Sequence, residues 1–320
     1  MNLQEIINIC GDKKNIIISG HIHPDGDCVG ACYALASILH KKGIDVEIAL
    51  DDVPDTYDYL VGSNYLLKTI KKDIDIFISL DCGDKERLGS NSKLFDEAAV
   101  TVNIDHHISN TQFADYNYVS DVSSTCEIIY EILDGSDDTD LLDKDICEAL
   151  YTGLIYDTGA FKHSNTTRRT HQIAGDIISY GIDFTDITNR LFYYKSYKSL
   201  QILGTAIKNT ERHINDKLIL TTLSTEELEE YDCNKKDTES IVQILNEVTE
   251  SECAIFIMQV SSDEYKISLR SRNNVDVCAI AREFGGGGHI KASGCTISGN
   301  LTSIKERLIN VVKRQIEERA

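Results

Sequence analysis

The chain has 320 residues, of which 42% are hydrophobic and 26% charged, and its formal net charge at pH 7 is −20. The length allows two domains with separate cores, because single cores rarely grow past roughly 250–300 residues. The acidic balance argues against a protein that tracks long nucleic acids, since such proteins usually present a basic face. We therefore expect no groove for long nucleic acid, and any anionic substrate should be small and held locally.

The sequence indicates a cytoplasmic protein without a membrane partner. Its first residues, MNLQEIINICGDKKN, lack the basic and apolar regions of a secretion signal. The apolar stretch at residues 253–258 is too short to cross a bilayer. The ten cysteines are scattered singly, so we interpret most of them as small core side chains rather than as disulfides or zinc ligands.

Residues 1–185 are predicted to form an α/β domain around a parallel sheet. Short runs rich in Ile and Val alternate there with segments of helical periodicity, a pattern typical of parallel strands joined by crossover helices. The predicted strands are residues 16–21, 45–50, 74–81 and 101–107.

Three of these strands lead directly into histidine and aspartate. The residues concerned are His21, Asp25 and Asp27 after the first strand, Asp81 after the third, and Asp105, His106 and His107 after the fourth. Ligands of open α/β sheets bind outside the carboxyl ends of the strands. We therefore expect these side chains to converge although they are distant in the sequence.

The first of these clusters predicts a bound cation. His21, His23, Asp25 and Asp27 lie so close in sequence that they would repel or desolvate one another unless a positive ion held them together. Asp25 and Asp27 could point toward two different ions, and Asp81 could bridge the two. The alternative for Asp25 and Asp27 is a turn that caps the following helix.

Two further segments could complete the cluster. The segment NIDHHIS could supply ligands, or it could be a buried histidine pair hydrogen-bonded to Asp105. A helix from about Ile146 is predicted to run out at Asp157, whose carboxylate could supply a last ligand. The alternative is an ordinary helix end with Gly159 near the C-cap.

Residues 186–210 are predicted to be a helical linker, and residues 211–320 a smaller α/β domain that binds the substrate. The predicted strands of this second domain are residues 218–223, 252–260 and 265–271.

A glycine run and two arginines are the candidate substrate contacts of the second domain. Backbone N–H groups of the glycines could surround a phosphate or a sugar edge, although a flexible loop is the alternative. The two arginines lie two residues apart on a strand, hence on one face, and arginine suits bidentate phosphate contacts. Surface ion pairs are the alternative for them. The predicted substrate-binding residues are Arg270, Arg272, Gly286, Gly287, Gly288 and His289.

Five motifs resemble those of a known family. GHIHPDGDCVG, SLDCGD, NIDHH and YDTGAF resemble, in the same order, the signature of the DHH phosphoesterase superfamily. REFGGGGHIKASG is similar to the glycine-rich motif of the domain that accompanies them in RecJ-type nucleases and NrnA-type nanoRNases. The resemblance extends over essentially the whole chain and suggests a homodimer.

The resemblance implies two Mn²⁺ ions and a role for each polar residue of the first domain. One ion would be held by His21, Asp25 and Asp81, and the other by Asp27, Asp81, His106 and Asp157. His107 would face the scissile phosphate, where it stabilises charge or protonates the leaving oxygen, and Asp105 would orient a neighbouring ligand. Oxygen and imidazole donors suit Mn²⁺ or Mg²⁺ better than structural zinc.

The resemblance implies a phosphoric ester hydrolase. The favoured activity is hydrolysis of short oligoribonucleotides (nanoRNA) to mononucleotides, together with dephosphorylation of 3′-phosphoadenosine 5′-phosphate (pAp). The alternative activity is cleavage of cyclic di-AMP or of its linear product pApA. RecJ-type digestion of long strands fits less well because the chain has no room for an added OB-type domain, and the partner domain of a family II pyrophosphatase would lack GGGGH. An alternative of another class is a catalytically silent nucleotide-binding sensor.

Overall fold

The computed structural model describes residues 2–67, 73–136 and 138–317. The chain divides into two compact units, Met1–Tyr194 and Lys195–Ala320. The division falls inside the range predicted as the linker, and the helix that follows it contributes Ile202 and Ala206 to a core of the second unit.

The first unit is built on a sheet of five parallel strands. They are β1 (Ile16–Ser19), β2 (Val46–Ala49), β3 (Ile76–Leu80), β4 (Val100–Asp105) and β5 (Tyr116–Val119), in the spatial order β2-β1-β3-β4-β5. β1 and β3 are buried at every position, as expected for parallel strands covered on both faces. The predicted parallel α/β sheet is therefore confirmed. β5 is absent from the sequence prediction because its residues, YNYV, are half-exposed at the sheet edge and form no apolar run.

Seven helices surround this sheet in the described part of the first unit. They are α1 (Leu3–Cys10), α2 (Gly26–Lys41), α3 (Ser92–Glu97), α4 (Thr125–Asp134), α5 (Lys144–Asp157), α6 (Arg168–Ile178) and α7 (Phe184–Thr188). Short 3₁₀ turns lie at Asp55–Tyr57, Val61–Tyr65, Lys85–Asn91 and Thr139–Leu141, and a π turn at Asn189–Tyr193. α2 begins because the Asp25 side chain accepts the N–H groups of Asp27 and Cys28, so Asp25 caps this helix, as one of the two interpretations of its sequence predicts.

Two glycines let α2 and α5 pack closely. A Cβ atom at Gly30 of α2 would lie 2.4 Å from the Ala149 carbonyl oxygen, and one at Gly153 of α5 would lie 2.5 Å from Asp27 Oδ1. Neither position has room for a side chain. This close approach brings the end of α5 at Asp157 beside the start of α2, where Asp25 and Asp27 lie.

We expect Gly30→Ala to destabilise the first unit by about 1–3 kcal/mol, because the added methyl group overpacks a backbone oxygen that cannot move aside. Gly175→Ala is the matched control, since Gly175 lies inside α6 with no atom near its Cβ position. Alanine favours a helix interior over glycine by up to about 1 kcal/mol, so the control should melt at the same temperature or higher. Scanning calorimetry in EDTA measures both variants; equal melting of Gly30→Ala and the parent would contradict the packing argument.

The second unit is a six-stranded mixed sheet. Its strands are β6 (Glu211–His213), β7 (Leu218–Leu223), β8 (Cys253–Gln259), β9 (Glu264–Ser271), β10 (Gly287–His289) and β11 (Ala292–Ser298), in the order β10-β11-β9-β8-β7-β6. β7 and β8 pair in parallel and the other neighbours are antiparallel. The predicted smaller α/β domain is confirmed, although β6, β10 and β11 are absent from the sequence prediction.

Helices cover both faces of this second sheet. They are α8 (Tyr197–Lys208), α9 (Thr225–Glu230), α10 (Lys235–Thr238), α11 (Ile241–Asn246), α12 (Val277–Glu283) and α13 (Leu301–Glu317). One core joins α12 and α13 to β9 through residues such as Ile280, Leu308 and Ile267. The other joins α8 and α11 to β7 and β8.

The glycine-rich segment is not the flexible loop that the sequence leaves open as an alternative. The N–H groups of Gly285 and Gly286 donate to the carbonyls of Arg282 and Ala281, so they satisfy the last carbonyls of α12. Gly287–His289 then forms β10, which pairs with β11 at the edge of the sheet. Only part of the run therefore keeps its backbone donors available to a ligand.

Two further sequence interpretations can be compared with the structure. All ten cysteines are free thiols, and nine of them are buried, which agrees with their interpretation as core side chains. Among the helices that the structure describes, none is both long and apolar enough to cross a membrane.

Candidate metal centre

The predicted ligands of the first unit meet at the carboxyl edge of its sheet. β1, β3 and β4 are neighbours, so His21, Asp81 and His106, which follow these strands, lie side by side. Asp25 and Asp27 enter from the start of α2, and Asp157 enters from the last residue of α5. The sequence distance between these residues is large, and the parallel topology alone brings them together.

Asp81 lies at the centre of this group. Its Oδ2 is 3.4 Å from His21 Nε2, and its Oδ1 is 3.5 Å from His106 Nε2, so the two carboxylate oxygens face two different imidazoles. The residue is 2% exposed, and its backbone φ of 59° is in the left-handed region, which aspartate tolerates better than most residues. Thr125 Oγ1 donates to Asp81 Oδ1 at 3.1 Å and holds the carboxylate in place.

The remaining carboxylates flank the two imidazoles. Asp25 Oδ1 is 3.6 Å from His21 Nε2, and Asp157 Oδ2 is 3.0 Å from His106 Nε2. Asp27 and Asp157 also share a group with His106 in which the candidate ligand atoms all lie within 4.8 Å of one another. His23, by contrast, is exposed and belongs to none of the candidate ligand groups found among the described residues.

Asp27 is held by a helix that sequence reasoning did not connect with it. Its Oδ2 accepts the N–H of Thr125 at 2.6 Å and its Oδ1 the N–H of Cys126 at 2.9 Å, both in the first turn of α4. The free N–H groups and positive dipole end of a helix stabilise an anion at this position. The signal in the sequence is SSTCE, in which Ser124 and Glu127 mark the start of α4.

The imidazole rings are oriented as metal ligands usually are. His21 Nδ1 lies 2.9 Å from the Ile22 carbonyl oxygen, and His106 Nδ1 lies 3.3 Å from that of Val122. These contacts hold a proton on Nδ1 and direct Nε2 toward the carboxylates, so Nε2 is the ring nitrogen available to a metal ion.

The electrostatics show that the cluster lacks positive charge. Burial, together with the charges of Asp81 and Asp157, raises the pKa of Asp27, and burial and Asp81 raise that of Asp157. Although burial opposes it, the neighbouring carboxylates raise the pKa of His21 to about 11 and that of His106 to about 10. Within the described ranges, no lysine or arginine forms an ion pair with any of the four aspartates of the cluster, Asp25, Asp27, Asp81 and Asp157. Four carboxylates and two neutral imidazoles fit divalent metal ions well.

His107 and Asp105 form a separate pair beside this cluster. His107 Nδ1 lies 2.7 Å from Oδ1 of the fully buried Asp105, whose Oδ2 accepts from Asn110 Nδ2 at 2.6 Å. The hydrogen bond to Asp105 raises the pKa of His107. Although burial opposes it, the hydrogen bonds from His107 and Asn110 lower the pKa of Asp105. Asp105 therefore orients His107 rather than a predicted metal ligand, and Asn110 is a supporting residue that the sequence analysis missed.

Cys28 also lies near the centre. Its thiol, His21 and Asp81 form a group whose candidate ligand atoms are all within 4.8 Å of one another. Burial raises the pKa of the Cys28 thiol well above its usual value, which keeps the thiol protonated. A Cβ atom at Gly20 would lie 2.2 Å from the Cys28 sulfur, so the side chain fills a tight space as a core residue does.

The candidate substrate residues of the second unit do not all lie together. Arg270 is on β9 and lines a cavity within this unit, whereas Arg272 follows the strand and donates to the Val248 carbonyl oxygen. His289 is exposed at the end of β10. The expectation that both arginines lie on one face of a strand is therefore not met, because β9 ends at Ser271 and Arg272 lies beyond it.

Comparisons with known proteins agree with the two units. Residues 15–154 match the DHH family, N-terminal domain, and residues 215–318 match the DHHA1 domain. The chain is a DHH protein with a DHHA1 domain. The resemblance that the motifs indicate is thus confirmed, and all residues of the acidic cluster except Asp157 lie within the range that matches the DHH family.

Similar proteins include two curated relatives of this DHH chain. Both are named bifunctional oligoribonuclease and PAP phosphatase NrnA. The one from Thermus thermophilus is 27% identical and covers 94% of this chain and 90% of its own length, and the one from Bacillus subtilis is 26% identical and covers 92% of each. An exopolyphosphatase-related protein from Bacteroides fragilis has the same fold, with a TM-score of 0.86 at 24% identity over 97% of this chain and 95% of its own. The two NrnA relatives and the DHH match support the prediction of a phosphoric ester hydrolase.

Proposed function

We propose that the chain is a Mn²⁺-dependent phosphoesterase that hydrolyses short oligoribonucleotides to mononucleotides and dephosphorylates pAp. The observation that carries the proposal is the position of Asp81, whose two oxygens face two imidazoles inside a cluster of four carboxylates. That arrangement suits two cations that share one carboxylate. The substrate class follows the names of the two NrnA relatives. We include a cytoplasmic location in the proposal, since ten free thiols fit a reducing compartment.

The proposal assigns each ligand to one of two ions. His21, Asp25 and Asp81 would hold one ion, and Asp27, Asp81, His106 and Asp157 would hold the other. When bound, two such ions supply an activated water and stabilise negative charge at phosphorus. A mixture of carboxylate oxygens and imidazole nitrogens favours Mn²⁺ over Mg²⁺.

The protein's own groups prepare the site for this chemistry. The first turn of α4 supports the negative charge of Asp27, and Thr125 fixes Asp81. The contact with Asp105 holds a proton on His107 Nδ1, so that in the imidazolium form Nε2 can donate to the leaving oxygen of a phosphate ester. The His107 side chain is 41% exposed, which allows it to reach a substrate.

We retain Arg270 and His289 as proposed substrate contacts of the second unit, because neither side chain forms an ion pair with an acidic residue of the described ranges. Gly287 and Gly288 remain proposed contacts through the edge of β10, whereas the Gly286 N–H is already bonded. A homodimer stays a prediction.

A panel of substrates tests the proposed function. RNA oligomers from dimer to 24-mer, pAp, pApA and cyclic di-AMP are incubated at equal concentration with the chain and Mn²⁺, and the products are separated by chromatography. We expect the fastest turnover with dimers to pentamers or with pAp. Fastest turnover of pApA or cyclic di-AMP would assign the chain to second-messenger hydrolysis instead, and no turnover of any of them would favour the nucleotide sensor.

Asp81→Asn should abolish turnover and weaken the binding of both ions, because the substitution removes the charge that the two sites share. The loss of metal affinity should exceed the roughly 10–100-fold effect of losing an outer hydrogen-bond partner. Equilibrium dialysis with Mn²⁺ measures it, with Asp12→Asn, a change at an exposed carboxylate, as the control. Tight binding of one ion by Asp81→Asn would show that Asp81 serves a single site.

Asp105→Asn should shift the alkaline limb of the kcat profile to lower pH. The Asp105 carboxylate raises the pKa of His107, so its neutralisation lets His107 lose its proton earlier as the pH rises. kcat measured against pH tests this, together with the NMR titration of the His107 ring in the metal-free chain. An unchanged alkaline limb would contradict the role of His107 as a proton donor.

Arg270→Ala should raise KM for RNA dimers roughly tenfold or more with little change in kcat, because it removes a charge-assisted contact made before the chemical step. Arg272→Ala is the comparison variant, since Arg272 donates to the Val248 carbonyl oxygen. Loss of this hydrogen bond should lower the melting temperature while KM changes little. Steady-state kinetics and thermal melting of both variants separate the two roles. A larger KM effect for Arg272→Ala would reverse the assignment.

A further inference from the structure

A cavity of about 330 Å³ lies entirely within the second unit. It is bounded by α10 and the start of α11, by β8 and by the adjoining part of β9. Its volume is at the lower end of the range of about 300–1,000 Å³ that is usual for small-molecule sites. The metal centre of the first unit contributes no residue to it.

The alternation of β9 explains why the cavity is polar on one side. Tyr265, Ile267 and Leu269 point into the core under α12 and α13 and are buried. The intervening residues Lys266 and Arg270 therefore point to the opposite face, together with Ser268. Both charged side chains are half-buried rather than extended into solvent.

Positive charge in this cavity exceeds negative charge. Lys235, Lys266 and Arg270 line it, and Glu239 is the acidic residue among the lining side chains. Burial and the nearby Lys235 ammonium lower the pKa of Lys266, an effect that Glu239 partly offsets, and burial lowers the pKa of Arg270. Lys235 and Lys266 therefore repel one another, and an anion bound between them would relieve the repulsion.

Other lysines of the second unit are paired with acidic residues, unlike the cations of the cavity. Lys198, Lys217 and Lys305 each form an ion pair with a nearby aspartate or glutamate. Within the described ranges, Lys235, Lys266 and Arg270 form no such pair. Unpaired cations gathered around a cavity are a feature of sites that bind phosphate.

Apolar side chains also line the cavity, and Met258 of β8 lies directly beside Lys266 in the sheet. These apolar side chains are Phe256 and Met258 of β8 and Val242 of α11. Phe256 and Val242 are buried, whereas Met258 is half-buried and accessible. Inorganic phosphate would leave Met258 uncovered, whereas the base of a nucleotide would pack against it. A cavity lined by cations and by an accessible apolar side chain thus suits a ligand that carries both a charged group and a flat apolar ring.

We propose that this cavity is a binding site for a nucleoside monophosphate unit, with its phosphate at Lys235, Lys266 and Arg270 and its base against Met258. The inference rests on the proposed function only for the choice of a nucleotide over other phosphate esters. The sequence already suggests Arg270 as a substrate contact, whereas Lys235 and Lys266 are candidates only because the structure places them at this cavity. The unit bound could be one end of an oligonucleotide or a free mononucleotide.

Calorimetric titration of the full chain with AMP in EDTA tests the proposal, because the chelator removes any anion binding at the metal centre. We expect AMP to bind, and Lys235→Gln and Lys266→Gln each to weaken its binding about tenfold or more through loss of a charge-assisted contact. Lys236→Gln is the matched control, since Lys236 is the next residue of α10, is exposed and does not line the cavity. Adenosine and inorganic phosphate should each bind at least about tenfold more weakly than AMP.

Thermal melting provides a second measurement that a purely structural role would not reproduce. Lys266→Gln should melt at the same temperature as the parent or higher, because it removes a repulsion, while it binds AMP more weakly. The dinucleotide pApA, compared with AMP, separates the two sources of the ligand: tighter binding of pApA in EDTA indicates an oligonucleotide end, and equal binding indicates a free mononucleotide.

Three results would overturn the proposal. They are no AMP binding in EDTA, unchanged AMP affinity in both Lys235→Gln and Lys266→Gln, and inorganic phosphate that binds as tightly as AMP. These outcomes are distinct from a failure of the proposed function. A chain that cleaves RNA dimers with Mn²⁺ but does not bind AMP in EDTA keeps the function and lacks this site.

Discussion

Mutual repulsion among four carboxylates is the constraint on which the first unit depends. Asp81 lies 3.4 Å from one imidazole and 3.5 Å from another, and Asp25, Asp27 and Asp157 surround the same two rings. Adjacent parallel strands, the tight α2–α5 contact and the first turn of α4 all serve to hold these charges in one place. Such an arrangement is costly without cations, so the fold itself argues for metal ions.

The sequence predicts this centre well where strand ends determine it. β1, β3 and β4 are short Ile- and Val-rich runs, and their carboxyl ends necessarily meet in a parallel sheet. The contacts that support Asp27 are less predictable because they join segments far apart in the chain. Thr125 and Cys126 bind Asp27 only because α4 packs near α2, and no local pattern encodes this contact. The contact between Asp105 and His107 is local, and the sequence already offers a histidine bonded to Asp105 as an alternative, but it does not show that Asn110 holds the other carboxylate oxygen.

In the second unit, local patterns mislead at two places. Spacing places Arg270 and Arg272 on one face, but β9 ends between them and the two side chains have different partners. The glycine run looks like a loop, yet Gly287–His289 pairs with β11 because β11 offers an unpaired edge. The cavity of Lys235 and Lys266 has no sequence signature, since it joins α10 to β9 across the sheet.

The number of metal ions that the chain binds is the most direct test of this account. The apo chain, prepared with EDTA and dialysed, is titrated with Mn²⁺ in a calorimeter, and its melting temperature is followed as free Mn²⁺ increases. We expect two ions for each chain and a melting temperature that rises with metal concentration, because the ions bind the folded state. Binding of no ion, or a melting temperature that does not respond to Mn²⁺, would contradict the central claim that cations hold the acidic cluster together.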